Sequence, residues 1–243
     1  MSARTGYEAA APIEPRRLWS VPGLLDHVVA FLTVTLLGWM LSIVLEWCGI
    51  ALGWWDQPGA GHSAQLLRTE LAWLDRDFTT PLAAGRLIEW ADWGARQLYH
   101  WSGLEGFVKW VVSDQPPPWA GLQTIRRVLR HWGEYVLAAA YITQLVGARL
   151  VVVVLTLPAY AMIGVMSLVD GLVQRDLRRF GGGLESGLLY HHLKAMLRPM
   201  LSLPIFLYLI SPWSLHPTTI FVPFVLGFGY FVQRTVARFK KYL

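Results

Sequence analysis

The run RLVVVVLTLPAYAMIGVMSLVD, Arg149 to Asp170, decides the architecture. Between its bounding charges, Leu150 to Val169 carries none and is crowded with Val, Leu, Ala and Met. A helix rises about 1.5 Å per residue and the hydrocarbon core of a bilayer is about 30 Å thick, so about 20 such residues cross it. The segment 149–169 is therefore read as a transmembrane helix. Toward the N-terminus, Val28 to Leu45 is also uncharged, and Glu46 with the apolar run Trp47 to Trp55 extends it into a further spanning helix, 28–55. Its apolar core is longer than that of a signal peptide and no small-residue cleavage site follows closely, so it is expected to remain as an anchor. Toward the C-terminus, Pro199 to Gln233 has no fixed charge, but Pro212, His216 and Pro217 divide it. This reads as a short hairpin, 199–233. Each half reaches spanning length only if Leu193 to Ile210 and Thr218 to Arg234 are used, with Lys194, Arg198 and Arg234 snorkelling; a re-entrant hairpin is the alternative.

The expected fold class is thus all-α, a polytopic membrane protein of about four transmembrane helices. Composition agrees. Of 243 residues, 54% are apolar and only 15% charged, with 13 tryptophans and a mean hydropathy of +0.40, outside ordinary soluble usage and far from disorder. The single cysteine, Cys48, can neither close an intrachain disulfide nor build a cysteine-rich metal site.

Orientation follows from lysine and arginine, which collect in short cytoplasmic segments. The N-terminal tail, 1–27, has Arg4, Arg16 and Arg17; the loop 170–198 has Arg175, Arg178, Arg179, Lys194 and Arg198; the tail 234–243 has Arg234, Arg238, Lys240 and Lys241. Both termini are expected in the cytoplasm. The long segment 56–148, which with Arg149 balances acidic and basic side chains nine to nine, suits the far side of an inner membrane. Its stripe Leu87, Trp90, Ala91, Gly94, Leu98 and Trp101 has helical spacing. Thr80 before Pro81 reads as an N-cap, and Gln115 to Pro118 must break the chain. A helix beginning near Trp119 then flows without a breaker into the second span. Its tryptophans suit core and interface packing, or a partner surface.

No phosphate-binding P-loop, dinucleotide fingerprint, zinc-protease or hydrolase motif is present, so enzymatic activity is not expected and no catalytic, cofactor or metal residue is nominated. The seven histidines contain no pair at i, i+3 or i+4, the spacing that would set two imidazoles on one helical face. Gly181 to Gly183 after a basic run are read as a helix end and turn, with a phosphate cradle as the alternative. Arg175, Arg178 and Arg179 share a helical face opposite Val173, Leu177 and Phe180, the pattern of a helix lying along lipid headgroups or meeting an acidic partner. Glu46 and Arg149 fall near the outer ends of their spans. Charges there are expensive unless partnered, and the two are expected either to pair or to snorkel to the interface.

The segment VDGLVQRDLRRFGGGLESGLLYHHLK, Val169 to Lys194, and the ending ARFKKYL, Ala237 to Leu243, resemble the integrating conjugative element membrane proteins, inner-membrane proteins encoded in mobile elements of Gram-negative bacteria. The resemblance implies work in DNA transfer beside the coupling ATPase of a conjugative type IV secretion system. It suggests that ATPase or other secretion-system subunits as partners, together with membrane lipid. The expected role is a non-enzymatic accessory subunit that positions the coupling protein, with a transporter or channel component as the alternative. Arg175, Arg178, Arg179, Tyr190, His191 and His192 are the candidate partner or lipid contacts. Direct nucleic-acid contact and a homo-oligomer stay open.

Overall fold

The computed structural model describes residues 21–77, 84–115, 117, 119–181 and 187–239. Among the described residues the chain is all-helical: α1 (Val21–Leu52), α2 (Gly61–Asp77), α3 (Ala84–Trp101), α4 (Leu104–Val112), α5 (Ala120–His131), α6 (Gly133–Phe180), α7 (Gly187–Ile210) and α8 (Pro217–Ala237). Four segments are long and apolar enough to cross a membrane: Val28–Leu52, Gly133–Arg178, Tyr190–Ile210 and Pro217–Ala237. The proposed cap at Thr80 and Pro81 lies outside the described residues, as do the tail 1–20, Gly182 and Gly183, and Lys240 and Lys241.

The spine is α6. Its 48 residues make a rod of about 72 Å, which overruns the uncharged stretch in both directions and carries Pro158 without a break. Pairings along it fix the directions of its neighbours. Trp39 Nε1 donates to Thr143 Oγ1 at 2.9 Å and Trp47 Nε1 to the Tyr135 carbonyl at 2.9 Å, so α1 runs antiparallel. Tyr160 reaches the Met200 carbonyl while Arg149 reaches that of Leu209, so α7 is also antiparallel. Gly229 sits over Ile163 and Ser167, and Gly171 lies against Gln233, so α8 runs parallel to α6. One end of the spine therefore gathers the C-termini of α6 and α8 with the start of α7. The other gathers α2 to α5 and the α7–α8 turn.

The expected breaker-free passage from residue 119 into the spine is not what forms: the helix stops at His131 and restarts at Gly133. The cause lies in α4, whose last carbonyls have no intrahelical donors. Arg126 Nη1 donates to the carbonyls of Ser113 (3.0 Å) and Gln115 (2.5 Å), and Arg130 to those of Val111 (2.8 Å), Val112 (3.1 Å) and Ser113 (2.7 Å). Delivering both guanidinium groups to one helix end turns α5 away from the axis of α6.

The stripe on α3 is used in part. Ala91 and Ala95 are buried against α6, whereas Trp90, Trp93 and Trp101 face outward. Contact is backbone to backbone at one point: a Cβ on Gly147 would stand 2.4 Å from the Gly94 carbonyl oxygen, and one on Gly94 2.7 Å from that of Gly147. Only a pair of glycines permits this approach. Its result is that α2 and α3 lie along α6, where Leu74 and Leu87 line one cleft with Val152, Leu155 and Thr156 from the uncharged run.

Candidate functional site

At the tryptophan-rich end the chain buries charge. Arg149 is fully enclosed and uses its whole guanidinium. Its Nε lies 3.1 Å from Glu70 Oε1 and 3.0 Å from Oε2, and Nη2 donates to Oε1 and to the Trp213 carbonyl at 3.2 Å. Its Nη1 donates to the carbonyls of Leu209 (3.2 Å) and Ser211 (2.7 Å), and the Tyr208 ring lies 5.2 Å from the guanidinium carbon. One side chain thus joins α2, α6 and the turn between α7 and α8. Burial pushes the Glu70 carboxyl above its ordinary value, and the Arg149 charge pulls it back.

Glu46 is also enclosed, with both carboxylate oxygens 3.0 and 3.2 Å from His62 Nδ1. The His62 ring stacks on Trp55 at 4.0 Å and 2°, and Trp55 Nε1 donates to the Glu46 carbonyl at 3.4 Å. The expected Glu46–Arg149 pair is therefore corrected: each charge has another partner, and α2 supplies both. His62 and Glu70 stand two turns apart, about 12 Å along the helix axis, which holds the two pairings separate. Neither partner was nominated from sequence. The signal was present in the spacing His62, Leu66, Glu70, Leu74, an i, i+4 stripe in which polar residues share a face with leucines.

At the opposite end charge gathers without being buried. Arg175 and Arg178, expected on one face, are divided by α8, which packs between them. Arg175 lines a cleft of about 200 Å³ with Leu172, Tyr190, Thr235, Val236 and Phe239. The Tyr190 ring lies 5.9 Å from Phe239 and 5.5 Å from His191, with Lys194 Nζ 6.0 Å from its centre. Arg178 lines a second cleft, about 370 Å³, with Gln174, Leu177, Arg234, Ala237 and Arg238. His191 and His192 are exposed and line neither cleft. The Arg179 side chain, the Gly182–Gly183 cradle and Leu184 lie outside the described residues. Sequence reasoning used Arg234 and Arg238 as markers of orientation and Arg234 as a snorkelling end of its span. Their contribution to a cleft with Arg178 depends on the parallel packing of α6 and α8.

Against this geometry the comparisons with known proteins can be set. No curated protein and no solved structure matches the chain. A model of the family described as IncC plasmid conjugative DNA transfer protein DtrJ-like matches residues 54–240, which takes in α2 to α8, the Arg149 node and both basic clefts. With more than half of its length matched, the chain belongs to the DtrJ-like family of conjugative DNA transfer proteins, and its four long apolar helices mark it as a membrane protein.

Proposed function

We propose that this protein is a non-enzymatic accessory subunit of the conjugative type IV secretion apparatus of an integrative conjugative element. It sits in the bacterial inner membrane with both termini in the cytoplasm and positions the coupling ATPase through the basic end of its spine. The observation that carries the reading is α6 itself: one unbroken helix joins the packed, tryptophan-rich end to a basic end where, among the described residues, Arg175, Arg178 and Arg238 form no ion pair. A rod of about 72 Å is longer than any bilayer core, so it presents structure on both sides while fixing the distance between them. Arg175 and Tyr190, with His191 and His192 beside them on α7, form the surface assigned to the partner. Conjugative transfer, the work of the family, supplies the class of partner.

The test is recovery of the coupling ATPase with this protein from detergent-solubilised donor cells, in parallel with exported-reporter fusions. Co-recovery should fall at least about tenfold in an Arg175→Gln, Tyr190→Ala variant that accumulates normally, the scale of a lost charge-assisted contact. Reporters active only outside the cytoplasm should work between Asp56 and Glu134 and fail after residue 182. Unchanged co-recovery would remove the partner assignment, and an active reporter at 182 would invert the orientation.

A further inference from the structure

The second basic cleft has a composition that docking a coupling protein does not call for. On α6, Gln174, Leu177 and Arg178 stand at i, i+3 and i+4; on the parallel α8, Arg234, Ala237 and Arg238 repeat that spacing. The two triplets face each other around about 370 Å³, lined, among the described residues, by three guanidinium groups and no carboxylate. Among the described residues none of the three forms an ion pair; Arg234 lies 5.3 Å from the Tyr230 ring centre. The nearby Asp170 is occupied by Gln174 Nε2 at 3.3 Å and by Gln233. Helix C-termini favour cations, which accounts for one arginine at each end. Three converging on one space repel one another unless an anion lies between them.

Depth identifies the anion. The α8 span, Pro217–Ala237, is about one bilayer core long and ends at the cleft, so the cleft opens where headgroups lie. Exposed Met162, Val165, Val169, Val173 and Leu177 run down the outer face of α6 into it, as an acyl chain would. Among the described residues no aromatic ring lines the cleft to stack on a base, which weighs against a nucleic-acid strand. We propose that the cleft between the C-termini of α6 and α8 binds the phosphodiester headgroup of an anionic phospholipid, with Arg178, Arg234 and Arg238 as its ligands and Gln174 as a neutral donor. Basic pockets between spanning helices at a cytoplasmic face take such headgroups, and the guanidinium fork meets two phosphate oxygens at once.

The test uses the full-length protein, delipidated in detergent and titrated with phosphatidylglycerol or phosphatidylcholine, with adducts counted by native mass spectrometry. One phosphatidylglycerol should remain bound where phosphatidylcholine is shed. Occupancy should fall at least about tenfold in Arg178→Gln, Arg234→Gln, while Arg198→Gln, on α7 and outside the cleft, retains it. A variant with lysine at 178, 234 and 238 keeps the charge and guards against misfolding. It should bind measurably more weakly than the parent, and equal binding would reduce the site to diffuse attraction and overturn it. Free glycerophosphoglycerol competing as well as the lipid would overturn the lipid assignment in favour of a soluble phosphoester. Displacement of the lipid by a single-stranded oligonucleotide would give the cleft to nucleic acid.

Discussion

Arg149 and Arg178 lie on the same helix, 29 residues or about 44 Å apart, and the chain treats them in opposite ways. Around Arg149 it has assembled a carboxylate and carbonyls from three elements until no donor is left over. Around Arg178 it has assembled two more arginines. A charge placed for stability is surrounded by its complement, whereas a charge kept for binding is surrounded by its like, and the difference separates the end that holds the fold from the end proposed to meet a ligand. It also separates what mutation should do at each.

The largest effect should follow Arg149→Met. This leaves the Glu70 carboxylate buried without its partner and the carbonyls of Leu209 and Ser211 without the Arg149 donor, while Trp213 keeps only the Ser211 hydroxyl. Breaking one side of a buried pair costs about 3–5 kcal/mol, read as unfolding in detergent or as loss of accumulated protein. Adding Glu70→Leu should recover part of that loss, because the stranded charge goes too. Arg178→Gln should move stability by less than about 0.5 kcal/mol. Equal damage from Arg149→Met and Arg178→Gln would erase the contrast between the two ends.

A smaller effect sharpens the picture of how α3 is held. Gly147→Ala drives a methyl into the Gly94 backbone and should destabilise on balance: overpacking costs about 1–3 kcal/mol against a helix-propensity gain of about 1 kcal/mol. Gly106→Ala on α4, where nothing lies within 4 Å of the added carbon, should instead stabilise by up to about 1 kcal/mol. If both changes have the same sign in thermal unfolding, the glycine-to-glycine approach is not the contact holding α3.

The smallest effect concerns an exposed cluster at the tryptophan-rich end. Hydrogen bonds from Lys109 and His100 hold the Glu105 carboxyl below its ordinary value. A depressed carboxyl pKa stabilises the folded state above the unfolded value, and that contribution is lost as pH falls through the folded one. Hydrogen exchange in the first turn of α4 should therefore rise on acidification below the ordinary carboxylate range, beyond the intrinsic trend. Glu105→Gln should abolish the excess while leaving α6 unaffected.

The reading of the sequence reached the fold through a property that needs no tertiary knowledge. Uncharged length is local, so the spans appear at Leu150 to Val169 and beside the Pro212–Pro217 break. It missed the stop at Trp132 because that stop is imposed by Arg126 and Arg130 reaching back to α4, a contact between segments with no sequence mark. The pairing of Glu46 and Arg149 failed for a related reason: opposite charges at matching depths suggest each other until a helix from elsewhere brings better-placed partners. At the basic end Arg175, Arg178 and Tyr190 were visible as types in a pattern. The split into two clefts required knowing that α8 runs parallel to α6 and at what register.

The bonds of Arg149 also set an order of events. Glu70 precedes it in the chain and Leu209 to Trp213 follow by about 60 residues, so during synthesis the arginine meets its carboxylate first and its carbonyls only after α7 has been made. A nascent chain halted before α7 holds a half-satisfied cation in an apolar setting, a costly state. Only a product that extends through Trp213 completes the set of bonds around Arg149.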